Sequence, residues 1–250
     1  MGGSQSGIKS KCYDKCVEDL PSTEGNVLVI TGTTTGIGFH TVRGWMKKGG
    51  GVVCLNRASD RVEKMQLFLK EEFPSGSITN VECDLQNFSS VRKACDEVTS
   101  LCGEEGIDVL CNSAGIMAMS DTRTVDGYDV QMQTNHLSHF ILSRALLPLL
   151  EKRAAVAGEA RLINVSSKAR EAMGKNTGKL EAKYFAKTPA GELGGDGNSM
   201  LFGGARWIRY HQTKVANVVF TTALHNRLVA RCSKVRAAHN HNVLHYPPAA

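Results

Sequence analysis

Asn26-Val27-Leu28-Val29-Ile30-Thr31 runs directly into Gly32-Thr33-Thr34-Thr35-Gly36-Ile37-Gly38, and the reading of this junction decides the fold. The first half is a short apolar run rich in β-branched residues, the pattern of a strand buried on both faces. Helical periodicity begins at about Ile37 and runs to Lys48. Glycines between a strand and a helix allow a tight turn and bring backbone N–H groups close to a ligand. The positive end of the following helix favours an anion such as a pyrophosphate. A glycine cluster alone is a weak signal, but its place between the first strand and first helix of an alternating chain strengthens it.

The alternation continues outward from that junction. Gly49-Gly50-Gly51 closes the helix, and Val52-Val53-Cys54-Leu55-Asn56 predicts a second strand. Helical segments over 58–72 and 88–102 enclose a strand over 77–83, and Ile107 to Cys111 predicts a fourth. An amphipathic segment from about Tyr128 to Glu151 leads to a strand over Arg161 to Ser166. A helix then runs to about Ala230, and Lys234 to His239 predicts a sixth strand. Strands alternating with helices at this spacing predict an α/β fold, a doubly wound parallel sheet of Rossmann type with right-handed crossovers. Residues 1–24 are expected to be a flexible polar leader and 25–250 a single domain. A glycine-rich insertion at about 168–205 contains Ala190-Gly191-Glu192-Leu193-Gly194-Gly195-Asp196-Gly197 and Phe202-Gly203-Gly204. It leaves the carboxyl edge of the sheet, where ligands bind. A substrate lid and a poorly ordered insertion both fit its composition.

A chain of 250 residues, 42% hydrophobic with 25 glycines, suits one domain with a sizeable core. The net charge of +6 is spread over dispersed basic residues without interleaved aromatics, which argues against nucleic-acid binding. The 8 cysteines form no Cys-x-x-Cys pair and several lie in apolar runs, so they are expected to be reduced and core-filling. The sequence has no apolar run long enough to span a membrane and no secretory signal, which predicts an intracellular, cytoplasmic protein. Met1-Gly2-Gly3-Ser4-Gln5-Ser6 fits the N-myristoylation pattern, with Lys9, Lys11, Lys15, Cys12 and Cys16 nearby. Weak membrane association through an acylated Gly2 therefore stands beside a plain polar leader. His136 with His139, and His239 with His241 and His245, lack a carboxylate or cysteine at ligand spacing, so no metal is expected.

In Tyr210-His211-Gln212-Thr213-Lys214 a phenol and an ammonium lie one helical turn apart on one face. A neighbouring cation favours the phenolate, which makes Tyr210 a candidate proton donor or acceptor. The same spacing also occurs as a plain surface contact. His211 points away from that face by helical geometry and receives no role.

Gly32-x-x-x-Gly36-x-Gly38, Asn112-Ser113-Ala114-Gly115 and Tyr210-x-x-x-Lys214 together resemble the short-chain dehydrogenase/reductase family over about residues 26 to 239. Thr134-Asn135-His136-Leu137-Ser138-His139-Phe140 and Asn164-Val165-Ser166-Ser167 resemble its retinol dehydrogenase-like branch. The resemblance implies hydride transfer between NADP(H) and an alcohol or carbonyl substrate, retinoid- or steroid-like. It implies catalytic roles for Asn135, Ser167, Tyr210 and Lys214. Tyr210 would exchange a proton with the substrate oxygen. Lys214 would keep the phenol acidic and bind the nicotinamide ribose, Ser167 would hold the carbonyl oxygen, and Asn135 would hold a water linking Lys214 to solvent. Ser166 is expected to be structural. The implied cofactor contacts are Gly32, Thr34, Gly36, Ile37, Gly38, Arg57, Asp84, Leu85, Asn112, Ala114 and Gly115, with Tyr210 and Lys214. A carboxylate after the second strand would select NAD, but Asn56 and Arg57 stand there, which points to NADP(H). Asp84 has helix N-capping as its alternative role.

After Val235-Arg236-Ala237-Ala238-His239 the family continues with a Pro-Gly turn, covering helices and a further strand. This chain continues Asn240-His241-Asn242-Val243-Leu244-His245-Tyr246-Pro247-Pro248-Ala249-Ala250. The expectation is a C-terminally truncated or misframed domain, with one wall of the substrate pocket in question and an exposed sheet edge. Two further function classes therefore stand: an NADP(H)-binding protein with little or no turnover, and a membrane-tethered scaffold using Gly2. Substrate identity, reaction direction and oligomeric state stay open at this point.

Overall fold

The computed structural model describes residues 13–171, 179–197 and 204–240. Gly2, Lys9, Lys11, Cys12, Phe202-Gly203, His241, His245 and the closing residues of the chain lie outside the described residues. Six strands form one sheet: β1 (Val27–Thr31), β2 (Gly51–Asn56), β3 (Ile78–Glu82), β4 (Val109–Asn112), β5 (Ala160–Val165) and β6 (Val235–Asn240). Every neighbouring pair is parallel and the order is β3-β2-β1-β4-β5-β6. The winding reverses between β1 and β4. Helices there depart to opposite faces and leave a crevice above the strands' carboxyl ends, the usual ligand position in such sheets. The expected doubly wound α/β fold is the observed one.

The helices are α1 (Tyr13–Glu18), α2 (Gly36–Lys47), α3 (Asp60–Glu72), α4 (Phe88–Cys102), α5 (Val130–Met132), α6 (Ser138–Ala157) and α7 (Ala205–Ala230). Side chains alternate across the sheet and build a core on each face. Leu28, Ile30, Val52 and Cys54 pack with Val42 and Met46 of α2 and Met65 and Leu69 of α3. Val29, Val53, Leu55 and Leu110 pack with Val91 and Val98 of α4 and Leu142 and Leu146 of α6. Five of the cysteines fill this interior as expected: burial raises the Cys102 thiol and pushes those of Cys54 and Cys95 up to about 11 and those of Cys83 and Cys111 up to about 12. Among the described residues no helix is long and apolar enough to cross a membrane.

Two features differ from the sequence expectation, and a third bears on an alternative that the sequence left open. The leader is not all free chain, because α1 docks on α2: Val17 is buried and the Tyr13 hydroxyl donates to the His40 carbonyl at 2.9 Å. The amphipathic stretch expected as one helix is broken, with a π-helical turn at Gln133–Leu137 between α5 and α6. The extra residue of such a turn re-aims the side chains around it, and Asn135 lies within it. The described part of the insertion, 179–197, is packed rather than loose. Tyr184 and Leu193 are buried against Met132 in a small apolar cluster of their own.

Candidate active site

The glycine turn is shaped by close backbone approach. Gly32 (φ +73°) passes so near the loop after β4 that a Cβ there would lie 2.8 Å from Ala114 Cα, and a Cβ on Gly38 would lie 2.2 Å from the Gly32 carbonyl oxygen. Gly36 (φ +60°) has open space where its Cβ would project. The first turn of α2 has no side-chain cap from Thr35 and no acidic residue. Gly36 and Ile37 are exposed, Gly38 is buried, and Thr34 is half-buried beside them. Free amides at an open helix N-terminus, with glycine where a side chain would intrude, fit a phosphate-bearing ligand.

Asn56, at the end of β2, faces inward. Its Oδ1 accepts from the Thr33 amide at 3.0 Å, and its Nδ2 donates to Thr33 Oγ1 at 2.7 Å and Asn80 Oδ1 at 2.8 Å. It fixes the glycine turn and leaves Arg57, which is exposed, as the side chain presented at that corner. Asp84 is not the cap of α4: Asn87 caps it, accepting from the Ser89 and Ser90 amides, while Asp84 Oδ1 accepts from Gln86 N–H at 3.0 Å. Leu85 is buried and its carbonyl accepts from Ser138 Oγ at 2.6 Å. The Asn112 amide group turns into the interior, donating to Ser143 Oγ at 2.9 Å and Asn164 Oδ1 at 2.8 Å. Its side chain therefore ties β4 to β5 and α6, while Ala114 and Gly115 face the crevice from the loop that follows.

That loop is held by Thr31. Its Oγ1 accepts from the Ser113 and Ala114 amides at 3.0 and 2.9 Å, so its single hydrogen goes to His139 Nε2 at 2.9 Å. His139 must then donate from Nδ1 to the Asn135 carbonyl at 3.1 Å. Burial drives the His139 imidazole down to about 3, in keeping with a neutral ring. His136 bonds Asn217 Oδ1 through Nδ1 at 2.9 Å, so both histidines once weighed as metal ligands have core partners. Sequence reasoning missed His139 and Asn217 as site supports. The histidine spacing drew notice only as a metal pattern, because their partners lie on distant strands and helices.

Asn135 clamps the same loop from the π-helical turn. Its Oδ1 accepts from the Ile116 amide at 2.8 Å, and its Nδ2 donates to the Ile116 carbonyl at 2.8 Å and to Thr213 Oγ1 at 3.1 Å. Both hydrogens of Nδ2 and one lone pair of Oδ1 are thus committed to protein partners. A Cβ on Gly115 would come within 3.4 Å of Asn135 Oδ1 and 3.5 Å of Lys214 Nζ, so these groups meet at the lip of the crevice.

Lys214 is buried, donates to the Val165 carbonyl at 3.1 Å, and sits 5.6 Å from the centroid of the Tyr210 ring. Desolvation lowers its ammonium to about 8. Tyr210 hydrogen-bonds with Ser167. Burial raises the phenol above its ordinary value and the Ser167 bond opposes that rise, so the expected acidification by Lys214 is not observed. The reason is physical: the Tyr210 ring sits in a low-dielectric wall that penalises the phenolate. Ser166, as expected, is structural, donating to the Lys214 carbonyl at 3.0 Å. Tyr210, Ser167, Lys214 and Asn135 thus converge beside Gly115, and the glycine turn opens on the other side of the same crevice. An aromatic wall, Trp207, packs edge-on to Tyr210 at 6.1 Å, and Met117 and Met119 are 58% and 42% exposed on the loop after Gly115.

Comparison with known proteins bears on this arrangement. The profile of a family described as short chain dehydrogenase matches residues 26–186. The chain is 33% identical over 213 residues to the short chain dehydrogenase/reductase dpchH of Colletotrichum higginsianum, covering 84% of this chain and 51% of that protein. It is 30% identical over 204 residues to human retinol dehydrogenase 12, covering 82% of this chain and 57% of that protein. A crystal structure of an uncharacterized protein from Mycobacterium paratuberculosis matches with a TM-score of 0.68 at 33% identity, over 89% of this chain and 70% of that one. The chain therefore spans about half the length of the curated relatives it matches.

Proposed function

The chain belongs to the short chain dehydrogenase family, in a retinol dehydrogenase-like branch, and we propose that it transfers hydride between NADP(H) and an alcohol or carbonyl group of a lipophilic, retinoid- or steroid-like substrate. The observation that carries this reading is the convergence of Tyr210, Ser167 and Lys214 beside Gly115, across the crevice from the open N-terminus of α2. The phosphates would lie on the amides of Gly36, Ile37 and Gly38, and Arg57 would meet a 2'-phosphate, which supports NADP(H) over NAD(H). Asp84, Leu85, Ala114 and Gly115 would flank the adenine and ribose side. The bound nicotinamide supplies the hydride donor or acceptor.

The chain's own residues supply the proton chemistry. In reduction, Tyr210 donates its phenolic proton to the substrate oxygen, and Ser167 hydrogen-bonds that oxygen to hold it against the phenol. Lys214, protonated below about pH 8, lies beside the ring where phenolate charge develops. Once a cofactor shields the crevice from water, that ammonium stabilises the phenolate more strongly than it does in solvent. Asn135 and His139 hold the Gly115 loop and the π-helical turn in register. Trp207, Met117 and Met119 supply an apolar rim suited to a lipophilic substrate.

Consumption of NADPH and NADH with retinal and with simple aldehydes, measured on the chain and on Tyr210→Phe, tests this reading. The expected result is NADPH-preferring, carbonyl-dependent oxidation that falls by about 10² to 10⁴ in Tyr210→Phe while NADPH binding persists. NADPH fluorescence enhancement without turnover on any carbonyl would replace it with the binding-protein reading. Intact mass after co-expression with a myristoyl transferase decides whether Gly2 can be acylated, the modification that the membrane-tethered reading requires.

A further inference from the structure

Arg209 immediately precedes Tyr210, and successive helical residues project about 100° apart, so the two side chains serve different faces of α7. Arg209 is 0% exposed. Its guanidinium donates to the Met119 carbonyl at 3.0 Å, on the loop after Gly115, and to the Leu193 and Gly195 carbonyls at 3.2 and 2.9 Å in the insertion after β5. Nε lies 3.3 Å from Asp129 Oδ2 and Nη1 lies 3.5 Å from Asp121 Oδ2. Asp129 caps α5 through the Gln131 and Met132 amides, and α5 leads into the turn that carries Asn135. Asp121 Oδ2 accepts from the Leu193 and Gly195 amides at 3.1 and 3.0 Å, and Asp121 Oδ1 pairs with Arg123 at 2.6 Å. The buried Arg209 and the half-buried Arg123 thus face two buried aspartates, a balance without which such charges do not stay dry.

The same insertion is fastened a turn further along α7. The buried Gln212 accepts from the Glu181 amide at 3.0 Å and donates to the Lys179 carbonyl at 2.9 Å. The anchors at 209 and 212 therefore bracket Tyr210. Ala118, just before Met119, holds φ +53°, a left-handed conformation costly to a residue with a Cβ.

We propose that Arg209 is a positioning residue, one that docks residues 179–197 as a fixed wall of the substrate side of the crevice and ties that wall to Tyr210 and to the Asn135 turn. The inference rests on the hydride-transfer reading above for its effect on rates, and on geometry alone for the docking itself. The guanidinium's several donors reach three carbonyls at once, which a lysine's single nitrogen does not reproduce.

Arg209→Lys and Gln212→Ala, compared with the unaltered chain, test the anchor in two ways. Limited trypsin cleavage at the exposed Lys183 and Lys187 reads docking without turnover; cleavage about tenfold faster or more in both variants is expected, tracking the population of the undocked wall. Steady-state kinetics reads positioning: a KM for the carbonyl substrate raised about tenfold or more with a smaller fall in kcat, and an NADPH Kd that is unchanged. Cleavage and KM both unchanged in Arg209→Lys overturn the proposal, as does a loss of NADPH binding in step with the rise in KM. Should Arg209→Lys fail to fold, Gln212→Ala is read against the same outcomes. An unaltered chain that binds NADPH and reduces no carbonyl removes the reaction reading only, and the cleavage contrast then decides the wall by itself.

Discussion

Tyr210 lies between burial, which raises its phenol, and the Ser167 hydrogen bond, which lowers it. Lys214 is itself short of water, and its ammonium is held at about 8 against an ordinary 10.5. The sign of its effect on folding follows. As pH falls from 10.5 to 8 the unfolded chain takes up this proton before the folded chain does. Lys214 therefore lowers stability progressively across that window, by on the order of 3 kcal/mol in all. Urea unfolding of the chain and of Lys214→Met should show the chain gaining on the variant between pH 8 and 10.5; parallel curves would mean an ordinary lysine. His139 gives a second window. With its imidazole lowered from 6.5 to about 3, stability should fall as pH drops between those values, and the ring should stay neutral with its proton on Nδ1 until the chain unfolds. Ring-nitrogen NMR checks this; a histidine titrating near 6.5 would rule out the Thr31–His139–Asn135 relay.

At the scale of elements, packing sets the consequences. Leu146 of α6 is fully buried against α4 and the sheet, and Leu146→Ala should cost about 2–5 kcal/mol in urea unfolding. Gly38→Ala would drive its Cβ to 2.2 Å from the Gly32 carbonyl oxygen, so it should shift the glycine turn and weaken NADPH binding measured by fluorescence. The strands and most helices were legible because apolar runs and helical periodicity are local signals, and α4 matches its expected 88–102 span at both ends. The π-helical turn was not legible. Asn135 enters it through contacts with Ile116 and Thr213, which leave no mark on the local pattern. Likewise α1 contains too few apolar residues to announce itself, and it folds where Tyr13 and Val17 find α2.

Across the whole molecule, the sheet order brings distant parts of the chain to one crevice. β1 delivers the glycine turn, the loop after β4 delivers Gly115, the residues just after β5 are Ser166 and Ser167, and α7 returns Tyr210 and Lys214 across them. The spacing of Tyr210 and Lys214 and the glycine turn were legible because each is a short motif placed on a predictable element. The direction of the Tyr210 shift was not, because a cation one turn away is visible in sequence and the depth of burial is not. Arg209 was equally hidden, since the groups that neutralise it come from the Met119–Asp129 loop and the insertion. The most direct measurement of the central claim supplies NADPH deuterated at the transferring position, together with a carbonyl substrate, and follows the alcohol by mass spectrometry. Proton donation by Tyr210 beside the bound cofactor predicts one deuterium on the alcohol carbon, transferred about 10² to 10⁴ more slowly by Tyr210→Phe. Bound NADPH with no deuterium in any product, or equal transfer by Tyr210→Phe, would contradict it.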